Sequence, residues 1–221
     1  KNPCRHRSLH IKFYKCRLLD TPMAFQHFTA RRTMVGDVGI ASLSAGQGRP
    51  LVLLHGYPQN RWTWSRLATQ FAEGCQVIII DLRGYGERDA PKDPGDGSLY
   101  SKRQMALDVL AVLDDYGHDS AMILGHDRGA RVAYRLALDH PERVSRLGII
   151  EIVPTGDFWA SWHADLALKG YHWTFLAQPS PLPERMIGAD PTAYLDWTLR
   201  SWTLKKSLDV FPAEALESYR A

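Results

Sequence analysis

The stretch Gly125-His126-Asp127-Arg128-Gly129-Ala130-Arg131 decides how this chain is read. The apolar run Ala121-Met122-Ile123-Leu124 precedes it, and a helical pattern follows it to about Leu138. Strand, tight small-residue turn and helix are the setting of a nucleophile elbow, whose usual form is G-x-S-x-G. Asp127 stands where that pattern has serine. A serine alkoxide attacking a saturated carbon would form an ether that water could not cleave. A carboxylate attacking the same carbon forms an ester, and water can then attack the carboxyl carbon of the enzyme itself. An elbow aspartate therefore points to SN2 displacement followed by ester hydrolysis.

Outward from the elbow, the pattern predicts strands alternating with helices. Gly39–Ser44 is short and alternating, an early strand. Pro50-Leu51-Val52-Leu53-Leu54-His55 and Val77-Ile78-Ile79-Ile80-Asp81 are continuous apolar runs, as expected of strands covered on both faces. Leu147-Gly148-Ile149-Ile150 reads as a further strand. Residues 62–72 and 105–116 have helical spacing, and 84–98 is a Gly/Pro/Asp-rich loop. This order predicts a mostly parallel sheet in an α/β fold. After Pro154 the character shifts. Five of the seven tryptophans lie there (Trp159, Trp162, Trp173, Trp197, Trp202), with no strand-like run, so a helical, aromatic-lined insertion is expected.

Composition narrows the function. The net charge of +3 comes mostly from residues 1–22, which carry six Lys/Arg against Asp20 alone; the remainder holds 21 basic and 23 acidic residues. Nucleic-acid binding does not follow from such a balance. No apolar run approaches the roughly 20 residues of a membrane span. Three cysteines, two of them early (Cys4, Cys16), make no disulfide framework, so a reducing, cytoplasmic setting is expected. The expected organisation is a basic tail over 1–22, disordered or non-native before a start at Met23 or Met34. The N-terminal part of an α/β core follows over 23–153, then a partial helical cap over 154–221.

His55-Gly56-Tyr57-Pro58-Gln59, Asp81-Leu82-Arg83-Gly84-Tyr85-Gly86, the elbow, Asp139-His140-Pro141 and Tyr171-His172-Trp173-Thr174-Phe175-Leu176 together closely resemble the haloacetate (fluoroacetate) dehalogenases of the α/β-hydrolase superfamily. The first two motifs are shared with epoxide hydrolases and haloalkane dehalogenases. The two arginines after the aspartate and the His-Trp pair are the specific signals. The resemblance implies an α/β-hydrolase fold with an inserted cap, and conversion of haloacetate and water to glycolate and halide without metal or organic cofactor. It implies Asp127 as nucleophile, with the backbone N–H groups of Tyr57 and Arg128 as its oxyanion hole. Arg128 and Arg131 would clamp the substrate carboxylate, His172 and Trp173 would hold the halide, and Glu151 would orient a catalytic histidine.

The arginines also make sense chemically. Cations at a helix start are unfavourable by a few tenths to about 1 kcal/mol. Two of them beside a nucleophile call for an anion, and planar guanidinium suits a carboxylate. Arg135 continues the same stripe and reads as a solvated charge. A His-Trp dipeptide taken alone would read as core packing.

None of the nine histidines lies beyond His172. The family's general base is a histidine after two further strands, so the chain is expected to stop inside the cap, its core incomplete, and to lack the residue that activates water. The expected partner is a small haloacid, with no nucleic acid and no membrane, and with a homodimer for the complete protein. Two rivals stand beside this reading. An epoxide hydrolase would need cap tyrosines donating to the epoxide oxygen and has no need of the arginine pair. A truncated, non-catalytic remnant would bind small anions or nothing.

Overall fold

Strands buried on both faces form the centre of this molecule. In the computed structural model, which describes residues 24–86, 90–93 and 95–221, six strands form one sheet. They are β1 (Thr29–Val35), β2 (Val38–Ala45), β3 (Arg49–Leu54), β4 (Cys75–Ile80), β5 (Ala121–His126) and β6 (Val144–Ile150), in the spatial order β1-β2-β4-β3-β5-β6. β1/β2 and β2/β4 are antiparallel; β4, β3, β5 and β6 run parallel. The predicted tail, with Cys4 and Cys16, lies outside the described residues.

Val52, Leu54, Ile78 and Ile80 face one side, against Val109, Val112 and Leu113 of α2 (Lys102–Asp115) and Val132, Ala133 and Leu136 of α3 (Arg128–Asp139). The intervening Leu53, Val77 and Ile79 face the other, with Trp64 and Ala68. This two-sided burial is what the continuous apolar runs predicted. α1 (Ala68–Ala72) is shorter than the helix expected over 62–72. A 3₁₀ turn, Arg61–Trp64, precedes it, because the Asn60 side chain accepts the Trp62 N–H at 3.1 Å and starts a tighter coil. Trp64 and Ala68 still reach the same core cluster.

β1 had no forecast. Its sequence, Thr-Ala-Arg-Arg-Thr-Met-Val, buries only Thr33, as an edge strand can. After β6 come six helices and, among the described residues, no strand. These are α4 (Thr155–Ala160), α5 (Ala164–Lys169), α6 (Tyr171–Phe175), α7 (Leu182–Ala189), α8 (Pro191–Trp202) and α9 (Ala213–Arg220). Among the described residues no helix is long and apolar enough to cross a membrane.

Candidate active site

β5 ends at His126, and Asp127 turns the chain into α3 with φ 47° and ψ −113°. For a residue with a Cβ this is a strained conformation, worth on the order of 1–3 kcal/mol, and the surroundings enforce it. The Asp127 N–H donates to the Ile150 carbonyl at 3.1 Å, so the end of β6 holds the turn. Glycines let the backbones close. A Cβ on Gly129 would lie 2.4 Å from the Leu54 carbonyl oxygen, and one on Gly125 would lie 2.5 Å from the Ala130 nitrogen. The residue types of the elbow follow from these clearances.

The Tyr57 N–H donates to Asp127 Oδ1 at 2.8 Å. A Cβ on Gly56 would meet the Asp127 Cβ at 2.6 Å, so the turn after β3 must carry glycine to approach the carboxylate. That turn is tied down by His55, which is fully buried. Its Nε2 accepts the Leu82 N–H at 2.9 Å, which leaves Nδ1 to donate to the Gly56 carbonyl at 3.0 Å. Burial pushes the His55 pKa down, in keeping with a neutral ring. Asp81, also buried, accepts the Arg61 N–H at 2.7 Å. Arg83 makes a two-pronged pair with Asp108 at 2.9 and 2.6 Å, fixing the loop after β4 to α2.

A cavity of about 320 Å³ opens over Asp127, lined by Tyr57, Lys102, Arg128, Arg131, Thr155, His172 and Trp173 among others. Five of the six side chains singled out in the sequence thus meet at one place. Arg131 is buried, donates to Thr155 Oγ1 at 2.8 Å, and lies 4.4 Å over the Trp173 ring. Its Nε has no partner among the described residues. Burial lowers its pKa, with Asp127 pulling the other way. The Arg128 guanidinium lies over Tyr57 and Tyr85, at 5.7 and 5.8 Å. His172 stacks on Tyr57 with rings 5.7 Å apart, and Trp202 packs edge-on at 5.0 Å. Burial lowers the His172 pKa, and its Nδ1 is buried without a partner among the described residues.

The sixth, Glu151, is placed differently. It has φ 57°, its carboxylate is exposed, and it pairs with Nε2 of His126 at 3.1 Å. Its partner in this chain is therefore the histidine beside Asp127. Arg135 is half-buried and pairs with Asp139 one turn along α3.

Sequence reasoning missed three residues. Lys102 lines the cavity at the start of α2. Tyr194 joins its hydroxyl to that of Tyr57 at 2.8 Å, tying α8 to the turn after β3. Trp202 backs His172. Only the chain's three-dimensional course brings these together, and no local pattern marks them. Tyr171 and Tyr194 are not among the residues lining the cavity. Among the described residues no cluster of three or more His, Cys, Asp or Glu could hold a metal ion.

Comparison with known proteins identifies the fold family. The family described as alpha/beta hydrolase fold matches residues 49–221. The fluoroacetate dehalogenase of Burkholderia sp is 40% identical over 89% of this chain and 64% of its own length. The soluble epoxide hydrolase of Corynebacterium sp. (strain C12) is 33% identical, over 86% of this chain and 65% of its own. A crystal structure from Nostoc sp PCC 7120, provisionally named an alpha/beta hydrolase, superposes with a TM-score of 0.85 at 42% identity, covering 88% of this chain and 66% of that one. The chain thus spans about two-thirds of the length of these relatives.

Proposed function

Because this chain belongs to the alpha/beta hydrolase fold family, we propose that its protein is a hydrolase that dehalogenates small haloacids through an ester on Asp127. The observation that carries this reading is the meeting, in one cavity, of a carboxylate at a strained elbow, two arginines and a His-Trp pair.

The Tyr57 N–H holds Oδ1, so Oδ2 is the oxygen left to attack. It forms a bond to the substrate's saturated carbon as the carbon–halogen bond breaks, and the halide leaves with the bonding pair. Arg128 and Arg131 hold the substrate carboxylate and aim that carbon. Ring N–H donors of His172 and Trp173 meet the charge growing on the halide, where preformed donors in a site sheltered from water act most strongly. The Tyr57 N–H then stabilises the oxyanion when water attacks the ester. In the complete protein a base must activate that water. Glycolate and halide are the products with haloacetate.

Epoxide hydrolysis shares the aspartate and the turn after β3. It needs tyrosine donors over the nucleophile, and Tyr171 and Tyr194 of the helical segment are not among the cavity-lining residues. That favours the haloacid.

The test is chemical. Bromoacetate reacts with thiols as well, and Cys75 is a free, half-buried cysteine, so the digest must locate each adduct. A carboxymethyl ester on Asp127, released by hydroxylamine and absent from Asp127→Asn, is the expected result. Adducts confined to cysteines would overturn the covalent mechanism.

A further inference from the structure

Resting on the carboxylate reading of this cavity, we infer that Lys102 forms the second half of a two-anion site, so that the cavity takes haloacids bearing two carboxylates. Three cations, Lys102, Arg128 and Arg131, line the cavity among the described residues, against the single carboxylate of Asp127. A substrate with one carboxylate leaves one positive charge over when all three are protonated. A substrate with two brings the cavity to neutrality.

The three are not equivalent. Arg131 is fixed by Thr155 and the Trp173 face, and Arg128 lies over two tyrosine rings. Arg131 is oriented before any ligand arrives, and Arg128 is held by the two rings alone. Lys102 makes no hydrogen bond or ion pair with a described side chain. It is the first residue of α2, behind the Ser101 cap, which accepts the Gln104 N–H at 3.1 Å. A cation there opposes the helix dipole, as Arg128 and Arg131 do at the start of α3. Burial and the neighbouring arginines push its pKa down to about 7, with only Asp127 opposing them. Among the described residues only Asp127 offsets this charge, and it faces both arginines as well, so an incoming anion would find the ammonium short of a partner.

There is also room. At about 30 Å³ per water, 320 Å³ is the space of roughly ten waters, and a haloacetate has only about five non-hydrogen atoms. A lysine, with its flexible four-carbon stem and compact charge, can follow a second carboxylate whose position varies between substrates. The arginine forks hold the first in a set plane. A halosuccinate fits this division.

Succinate serves as the unreactive probe and acetate as its one-carboxylate counterpart, both titrated calorimetrically into the 221-residue chain at pH 7. The expected result is succinate binding at least about tenfold tighter than acetate, a difference of about 1.4 kcal/mol. Lys102→Met should abolish that preference while leaving acetate affinity nearly unchanged, and Lys102→Arg should keep it. Arg131→Leu should weaken both ligands. Equal affinity for the two ligands in the parent chain, or equal weakening of both by Lys102→Met, would overturn the two-anion site and leave the one-carboxylate reading standing. Failure of both ligands to bind a chain with a cooperative thermal melt would overturn both readings.

Discussion

The β5–α3 turn holds Asp127 through backbone, whereas the helices after Pro154 present His172 and Trp173 through packed rings. At the turn, carbonyls and nitrogens stand where a single added methyl group would collide, and two N–H bonds, one to Asp127 Oδ1 and one from the Asp127 nitrogen, fix the residue. In the helical segment the contacts are between faces and edges. Phe158 and Trp173 lie 4.3 Å apart, Trp159 and Trp162 5.0 Å, and Tyr57 and Trp202 6.2 Å. Backbone clearance tolerates no change of position, which suits the nucleophilic role proposed for Asp127. Ring packing admits adjustment and suits the part of a site that selects ligands.

The largest effect should come from the turn. Gly129→Ala puts a Cβ 2.4 Å from the Leu54 carbonyl oxygen and 2.5 Å from that of His55. Neither is the end of a flexible side chain, so β3 or α3 must shift, at a cost of about 3 kcal/mol or more. Urea unfolding measures it. A loss below about 1 kcal/mol, at the low end for overpacking, would mean that the elbow is softer than its clearances imply, and the contrast with the helical segment would fail.

This contrast also explains what could be read in advance. Gly125, Gly129 and Asp127 were legible because backbone geometry there leaves little choice of residue. β3 and β4 were legible because Leu51–Leu54 and Val77–Ile80 are apolar without a break and lie in the middle of the sheet. Arg128 and Arg131 were legible as charges with no local reason to be where they are. β1 was hidden because four of its seven residues are polar and it lies at an edge. Lys102, Tyr194 and Trp202 were hidden for a different cause. Each reaches the site only through tertiary packing, and in sequence they look like a helix-start lysine and two ordinary aromatics. Glu151 was legible as a strand-end acid, but its exposed carboxylate turning to His126 depends on a left-handed backbone that the sequence does not announce.

A smaller effect should follow Trp173→Leu. The ring lies 4.4 Å from the Arg131 guanidinium, a cation–π contact worth about 1 kcal/mol, or roughly fivefold in acetate affinity. Its partners Phe158 and Trp159 remain packed on each other at 6.0 Å. The α/β layer should keep its unfolding free energy in urea within about 1 kcal/mol, the scale of one lost aromatic pair. A variant that weakened acetate as stated and unfolded at the parental midpoint would sharpen the contrast. A midpoint falling as far as that of Gly129→Ala would show the rings and the elbow to be one cooperative unit.

The smallest effect separates two strands that look alike in sequence. Ile78, Ile79 and Ile80 of β4 are all but inaccessible, while Leu147, Ile149 and Ile150 of β6 are each at least 40% exposed. The runs match in composition and differ in place, because β4 has β2 and β3 on its two sides and β6, among the described residues, has β5 alone. In the 221-residue chain the outer edge of β6 has no strand partner among the described residues and lies beside exposed apolar side chains, which is a template for self-association. Ile149→Lys puts a charge on that edge without entering the core. Its thermodynamic cost should stay within about 0.5 kcal/mol, as for other surface changes. Its consequence should appear in sedimentation, as a lower aggregated fraction at high protein concentration than in the parent chain. The same change at Ile79 would bury an unpaired ammonium between sheet and helix and abolish folding. If Ile149→Lys proved as damaging as that, β6 would be covered by something these helices and strands do not supply, and the resemblance of the two runs in sequence would have been the better guide.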